Sequence, residues 1–191
     1  MERDRLTAFT DGVLAIIVTI MVLELRPPEG ATFHDLAALW PVFLSYVLSF
    51  IYVGIYWNNH HHFFQLVKKV DGAVLWANLH LLFWLSLIPF ATAWMGEHEG
   101  LPMPTALYGA SLLMPAIAWY VMQLVIVRGQ GADSPLRAVL GRDLKGKLSP
   151  FVYLIGVGVS FVAPIAAYAL YLGVALMWLI PDRRVEHRLQ G

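Results

Sequence analysis

The sequence predicts an all-α integral membrane protein with six transmembrane helices, and three features lead there. Of its 191 residues 59% are hydrophobic and only 14% charged, with a mean hydropathy of +0.64, far from the balance of a water-soluble domain. Apolar stretches approach the roughly 20 residues that a helix rising about 1.5 Å per residue needs to span a bilayer, with short polar breaks between them. Threading the chain through six crossings also collects nearly all its basic residues on one side.

The expected helices run over 6–25, 36–59 with a continuation to 67, 73–95, 103–127, 148–163 and 164–181, and together they make 1–191 one transmembrane domain. The last two divide an apolar stretch at Pro164 and are each about 24 Å long, short for a bilayer, so a Pro-kinked or re-entrant hairpin competes with two crossings there. Charge favours two. With six crossings and the N-terminus inside, Arg3, Arg5, Lys68, Lys69, Arg128, Arg137, Arg142, Lys145, Lys147, Arg183, Arg184 and Arg188 are all cytoplasmic, and only Arg26 is outside. Five crossings would move the three C-terminal arginines outside, against the positive-inside rule. Both termini are therefore expected in the cytoplasm, with acidic or neutral outer loops carrying Glu29, Asp35, Glu97 and Glu99.

The first segment lacks a small-residue cleavage site and reads as a mature helix rather than a signal peptide. No soluble domain, low-complexity tract or internal repeat stands out. Arg128 to Lys147 reads as a cytoplasmic linker suited to anionic headgroups. Trp40, Trp94 and Trp178 fit interfacial belts, whereas Trp57 lies inside a helix, where it packs or donates a hydrogen bond. Zero cysteines exclude disulfides and thiolate chemistry, and a formal net charge of zero gives no sign of nucleic-acid binding.

The first helix has three distinct faces. Ile16, Ile20 and Leu23 form an apolar stripe; Ala8, Gly12, Ala15 and Thr19, spaced i, i+4, i+7 and i+11, form a small-residue stripe that permits close helix approach in lipid; Asp11 lies roughly opposite. Periodicity leaves two readings open. The helix is either buried in a monomeric bundle, or several copies meet around an axis with the apolar stripe as a constriction. Asp11 itself needs a partner or water, because an ionised group in a spanning helix is costly.

Asp11, the Asn59–His61 run and Asn78 all fall at similar depth in the cytoplasmic half, about 10 Å in by helical rise. A buried network of Arg5, Asp11, Trp57, Asn59, His60, His61 and Asn78 would satisfy them together, as a clamp on the first three helices or as a proton relay. His60, His61 and His62 superficially suggest a metal site. Helical neighbours point about 100° apart, however, and His34, His98 and His187 lie elsewhere, so no metal or cofactor is expected. The chain has no Thr-Val-Gly-Tyr-Gly filter, voltage sensor, phosphate loop or Ser-His-Asp spacing, which argues against a conventional potassium-channel filter and against an enzyme.

Arg5-x-x-x-Phe9-Thr10-Asp11-Gly12-x-x-Ala15-Ile16, followed by Thr19 and Leu23-Glu24-Leu25, resembles the first-helix signature of the transmembrane protein 175 family, the lysosomal potassium channels and their bacterial relatives. Thr10 stands where the family usually has serine, keeping the hydroxyl. The resemblance continues through Leu39-Trp40-Pro41, Ser45-Tyr46, Tyr56-Trp57-x-Asn59-His60-His61, Asn78 and Pro89-Phe90-x-Thr92, while His62 and His80 fall at variable positions. It implies a bacterial single-repeat channel in the plasma membrane, a homotetramer in which helix 1 of each subunit lines a central potassium-permeable pore. Ile16 takes the hydrophobic-gate position, with Thr19, Ile20 and Leu23 following, and Phe9, Thr10 and Asp11 belong to the intra-subunit network. The expected partners are the bilayer and identical subunits. The alternative is a small proton-coupled secondary transporter using Asp11 with His60 or His61.

Overall fold

The computed structural model describes residues 2–130, Leu136 and 143–179, and every described element is helical. Helix α1 (Arg3–Leu23) buries one narrow stripe, Leu6, Thr10, Leu14, Ile17 and Met21, at the three- and four-residue spacing that keeps side chains on one face. That stripe packs against α3 (Trp40–Gln65), α4 (Gly72–Leu85) and α5 (Ile88–Glu97).

The helix expected from residue 36 is broken. A short α2 (Phe33–Ala38) precedes α3, and the break sits at Leu39 because Pro41 has no N–H to donate and its ring clashes with the carbonyl one turn back. A capping box starts α2: Asp35 N–H donates to Thr32 Oγ1, while Thr32 N–H donates to Asp35 Oδ2 at 3.0 Å. The Thr32 hydroxyl also donates to Asp35 Oδ2 at 2.6 Å, and this bond with the one from Thr32 N–H holds the exposed Asp35 carboxyl below its usual value. Gly30 is required beside them, since a Cβ there would come within 2.1 Å of Asp35 Oδ2.

The continuous helix expected over 73–95 is likewise two, α4 and α5, parted by a turn at Ser86 and Leu87. Pro89 is again the cause, since it cannot donate to the Leu85 carbonyl, and the Ser86 hydroxyl caps Phe83 C=O at 2.7 Å. Asp71 caps the start of α4 by accepting from Val74 N–H. Helix α6 (Pro102–Gln130) outlasts its expected end by three residues and accommodates Pro115 internally. At 29 residues, or about 43 Å, it exceeds the hydrocarbon thickness.

Helices α7 (Leu144–Val159) and α8 (Pro164–Leu179) form a hairpin against α6. The break falls at Ser160–Ala163 rather than at Pro164 alone, and α7 begins four residues before the expected 148, because Asp143 caps it by accepting from Gly146 N–H at 2.8 Å. Of the expected linker, 131–135 and 137–142, with Arg137 and Arg142, lie outside the described residues. So do 180–191, which hold the end of the expected last helix, His187 and the three C-terminal arginines.

Among the described residues, four stretches are long and apolar enough to cross a membrane: α1, α3, the α4–α5 pair and α6; α8 is apolar but has 16 residues. Two cores hold the bundle. One gathers Leu6, Leu14 and Ile17 of α1 with Phe63, Phe64, Leu81, Leu85 and Met122. The other centres on Tyr52, Tyr108, Tyr153 and Tyr171, where α3, α5, α6, α7 and α8 meet.

Candidate functional site

Because α1 buries a single stripe, the rest of its surface is open in the subunit. Ile16 is 60% exposed and Leu23 74%, with Thr19 and Ile20 exposed between them, whereas adjacent Ile17 is 3% exposed. Ala8, Gly12 and Ala15 are open as well, and nothing lies within 4 Å of where a Gly12 Cβ would sit. Phe9, seven residues before Ile16, falls on the same apolar face and is exposed. The network position expected for it is therefore corrected: it faces outward with the stripe. Thr19 Oγ1 donates to the Ala15 carbonyl at 2.8 Å, which spends its one proton on the helix and leaves its lone pairs free.

The nine residues expected in one polar network separate into unequal parts. Thr10, His60 and Asn78 are buried together: Asn78 Nδ2 donates to Thr10 Oγ1 at 2.9 Å, and Asn78 Oδ1 lies 3.0 Å from His60 Nε2. With the amide nitrogen committed to Thr10, the amide oxygen is an acceptor, so His60 carries its proton on Nε2. The His60 ring stacks on Phe64 with centroids 4.2 Å apart. This cluster ties α1, α3 and α4 together.

Asp11 sits outside it. Its Oδ1 accepts from Trp57 Nε1 at 3.0 Å, and both residues are exposed in the subunit. Trp57 in turn stacks on His61, which pairs with Gln65 one turn further along α3. No hydrogen bond joins Asp11 to His60, so the continuous network expected from depth is not formed. Asn59 bonds the Ile55 carbonyl of its own helix, and the exposed Arg5 side chain has no hydrogen bond or ion pair among the described residues. Equal depth places residues at one level, but helix rotation decides which of them face each other.

Of the hydroxyl cluster of the second core, only Thr92 carried a sequence signal, as part of the Pro89-Phe90-x-Thr92 motif. Ser49 Oγ lies 2.7 Å from Thr92 Oγ1 and 2.9 Å from the Tyr108 hydroxyl, and the Tyr52 hydroxyl donates to the Tyr171 carbonyl. Trp178, expected at an interface, donates to Ser149 and joins α8 to α7. His80 accepts from Trp84 Nε1, whereas His62 Nδ1 is buried without a partner. Among the described residues no group of three or more His, Cys, Asp or Glu side chains could hold a metal.

Comparison with known proteins gives a consistent result. A family model described as endosomal/lysosomal potassium channel TMEM175 matches residues 5–89. A potassium channel from a Chryseobacterium species is 53% identical over 190 residues, spanning 100% of this chain and 99% of its own. One from Streptomyces collinus is 32% identical over 191 residues, with 90% and 92% covered. The crystal structure of a lysosomal potassium-selective channel TMEM175 homologue from Chamaesiphon minutus superposes with a TM-score of 0.83 at 26% identity, covering 94% of this chain and 97% of that one.

Proposed function

The chain belongs to the TMEM175 family of endosomal/lysosomal potassium channels, and from that premise we propose that it forms a potassium-permeable homotetrameric channel in a bacterial plasma membrane, with α1 of each subunit lining the pore. The observation that carries this reading is the exposed stripe of Ile16, Ile20 and Leu23 on a helix whose other side is packed into its own subunit. Four copies brought together along the small residues Ala8, Gly12 and Ala15 cover that face.

In this reading the chain makes six crossings over 1–191, with both termini cytoplasmic. Lys68, Lys69, Arg128, Lys145 and Lys147 then share a side, and Arg26 faces the other. Helices α7 and α8, 16 residues each, cross a locally thin span as a hairpin.

Mechanistically, a ring of four Ile16 side chains closes the pore by excluding water, since a narrow apolar constriction dewets. No carbonyl filter strips the ion. Selectivity comes from pore radius and from a ring of Thr19 oxygens, whose lone pairs face outward while their protons are bonded to Ala15. The Thr10–Asn78–His60 cluster acts as the clamp that sets α1 at the angle presenting Ile16. The alternative carrier would work through Asp11 with His60 or His61, and no direct hydrogen bond links Asp11 to either ring.

Potassium flux from proteoliposomes tests the gate. Ile16→Asn hydrates the ring and raises basal flux several-fold, while Leu154→Asn, at a site of matching 59% exposure on α7, leaves it unchanged. Equal flux through wild type and both variants overturns the pore assignment. Saturable exchange without unitary current in a planar bilayer favours the transporter instead.

A further inference from the structure

Arg26 is the one basic residue that the six-crossing arrangement leaves on the outer side, and it lines a groove of about 790 Å³ between the end of α1 and the α2–α3 corner. That volume falls within the roughly 300–1,000 Å³ of small-molecule sites. Every other lining residue is apolar, with Leu25, Phe33, Leu36, Trp40 and Phe43 prominent and exposed or half-exposed.

The guanidinium is uncommitted in spite of acidic neighbours. Glu24 and Glu29 are close in sequence, and Asp35 is nearby in the cap. Asp35 accepts from both Thr32 N–H and Thr32 Oγ1, and Arg26 makes no ion pair among the described residues. A free guanidinium recognises phosphate by paired N–H donors, and an apolar trough accepts an alkyl chain. At an outer membrane interface marked by Trp40, one molecule offers both features.

We infer that the groove binds one anionic phospholipid of the outer leaflet per subunit, its phosphate on Arg26 and an acyl chain along Phe33, Leu36 and Phe43. The inference rests on the membrane orientation proposed above, but not on the identity of the permeant ion.

The absence of native cysteine makes a clean probe available. Leu36→Cys, labelled with a small fluorophore, is reconstituted in phosphatidylcholine vesicles containing graded amounts of brominated-acyl phosphatidylglycerol or brominated-acyl phosphatidylcholine. Phosphatidylglycerol should quench half-maximally at about a fivefold lower fraction, the ratio expected for one basic residue at an anionic surface. Arg26→Gln should erase that preference and Arg26→Lys retain most of it. Equal quenching by both lipids, or quenching by neither, overturns the site, as does an oxidative Leu36→Cys cross-link between subunits, which would show a second copy in the groove. Potassium flux from the same vesicles keeps failure of this site distinct from failure of the channel.

Discussion

Around α4, buried polar groups form one short chain, Thr10–Asn78–His60, inside an aliphatic and aromatic cluster; around α8 the Tyr171 hydroxyl and carbonyl are tied to Ser160, Thr105 and Tyr52 in a mesh of hydroxyls and backbone carbonyls. Both arrangements answer the same demand, since a polar group in hydrocarbon has no water to turn to. They differ in redundancy. Asn78 is the middle of a three-member chain, and its loss strands a group on each side. In the second core Tyr171 is held through its hydroxyl near Ser160 and the Thr105 carbonyl, and through its own carbonyl by Tyr52, so losing one of these bonds leaves it the others. What that core cannot spare is space. A Cβ on Gly109 would lie 2.0 Å from the Tyr171 hydroxyl oxygen, and one on Gly156 would lie 2.4 Å from the Tyr171 ring.

The largest effect should come from breaking the chain. Asn78→Leu leaves His60 Nε2 and Thr10 Oγ1 buried without partners, at about 2–4 kcal/mol from the cost of unsatisfied buried groups. Thermal melting in mild detergent should show a drop well beyond that of Ser160→Ala, which removes one of the two partners of the Tyr171 hydroxyl. Comparable drops for the two would erase the distinction between the cores.

Steric sensitivity comes next. Gly156→Leu should cost about 1–3 kcal/mol by overpacking Tyr171, while Gly158→Leu, two residues along α7 with nothing within 4 Å of its Cβ position, should be nearly silent. Melting temperatures of the pair read this directly, and equal values would refute the tight seat for Tyr171.

Smallest, within one subunit, is the exposed pair of Asp11 and Trp57. Asp11→Ala should cost about 1 kcal/mol or less if the pair stays wet, and Asp11→Asn less still. A double-mutant cycle with Trp57→Phe isolates the bond. A cost approaching that of Asn78→Leu would mean that neighbouring subunits cover Asp11, and native mass spectrometry on the variant would then show a weakened tetramer.

The two cores also differed in how far they could be read beforehand. His60 and Asn78 stood out because polar side chains are rare in apolar runs, and their similar depth brought them to one level. Asp11 and Asn59 shared that level and still found no place in the cluster. Their side chains leave the helices in other directions, which depth does not encode. The tyrosine mesh gave no warning, because Tyr and Ser occur throughout membrane helices and only the meeting of α3, α6 and α8 brings Tyr52, Tyr108 and Tyr171 together. Pro41 and Pro89 were visible throughout. Whether a membrane helix bends through a proline or breaks at it depends on its neighbours: α6 carries Pro115 without interruption, while α4 and α5 part before Pro89.

The sequence by itself determined the helical class and the membrane character, since both follow from composition and segment length; the first-helix motif pointed further, to the family. It also set apart Ile16 from Ile17, because two neighbours on a helix must point about 100° apart. Which of the two is buried was decided only in three dimensions. Leu6, Thr10, Leu14, Ile17 and Met21 have partners on α3, α4 and α5, and that packing turns Ile16 outward, because a helix can bury only the side its neighbours reach.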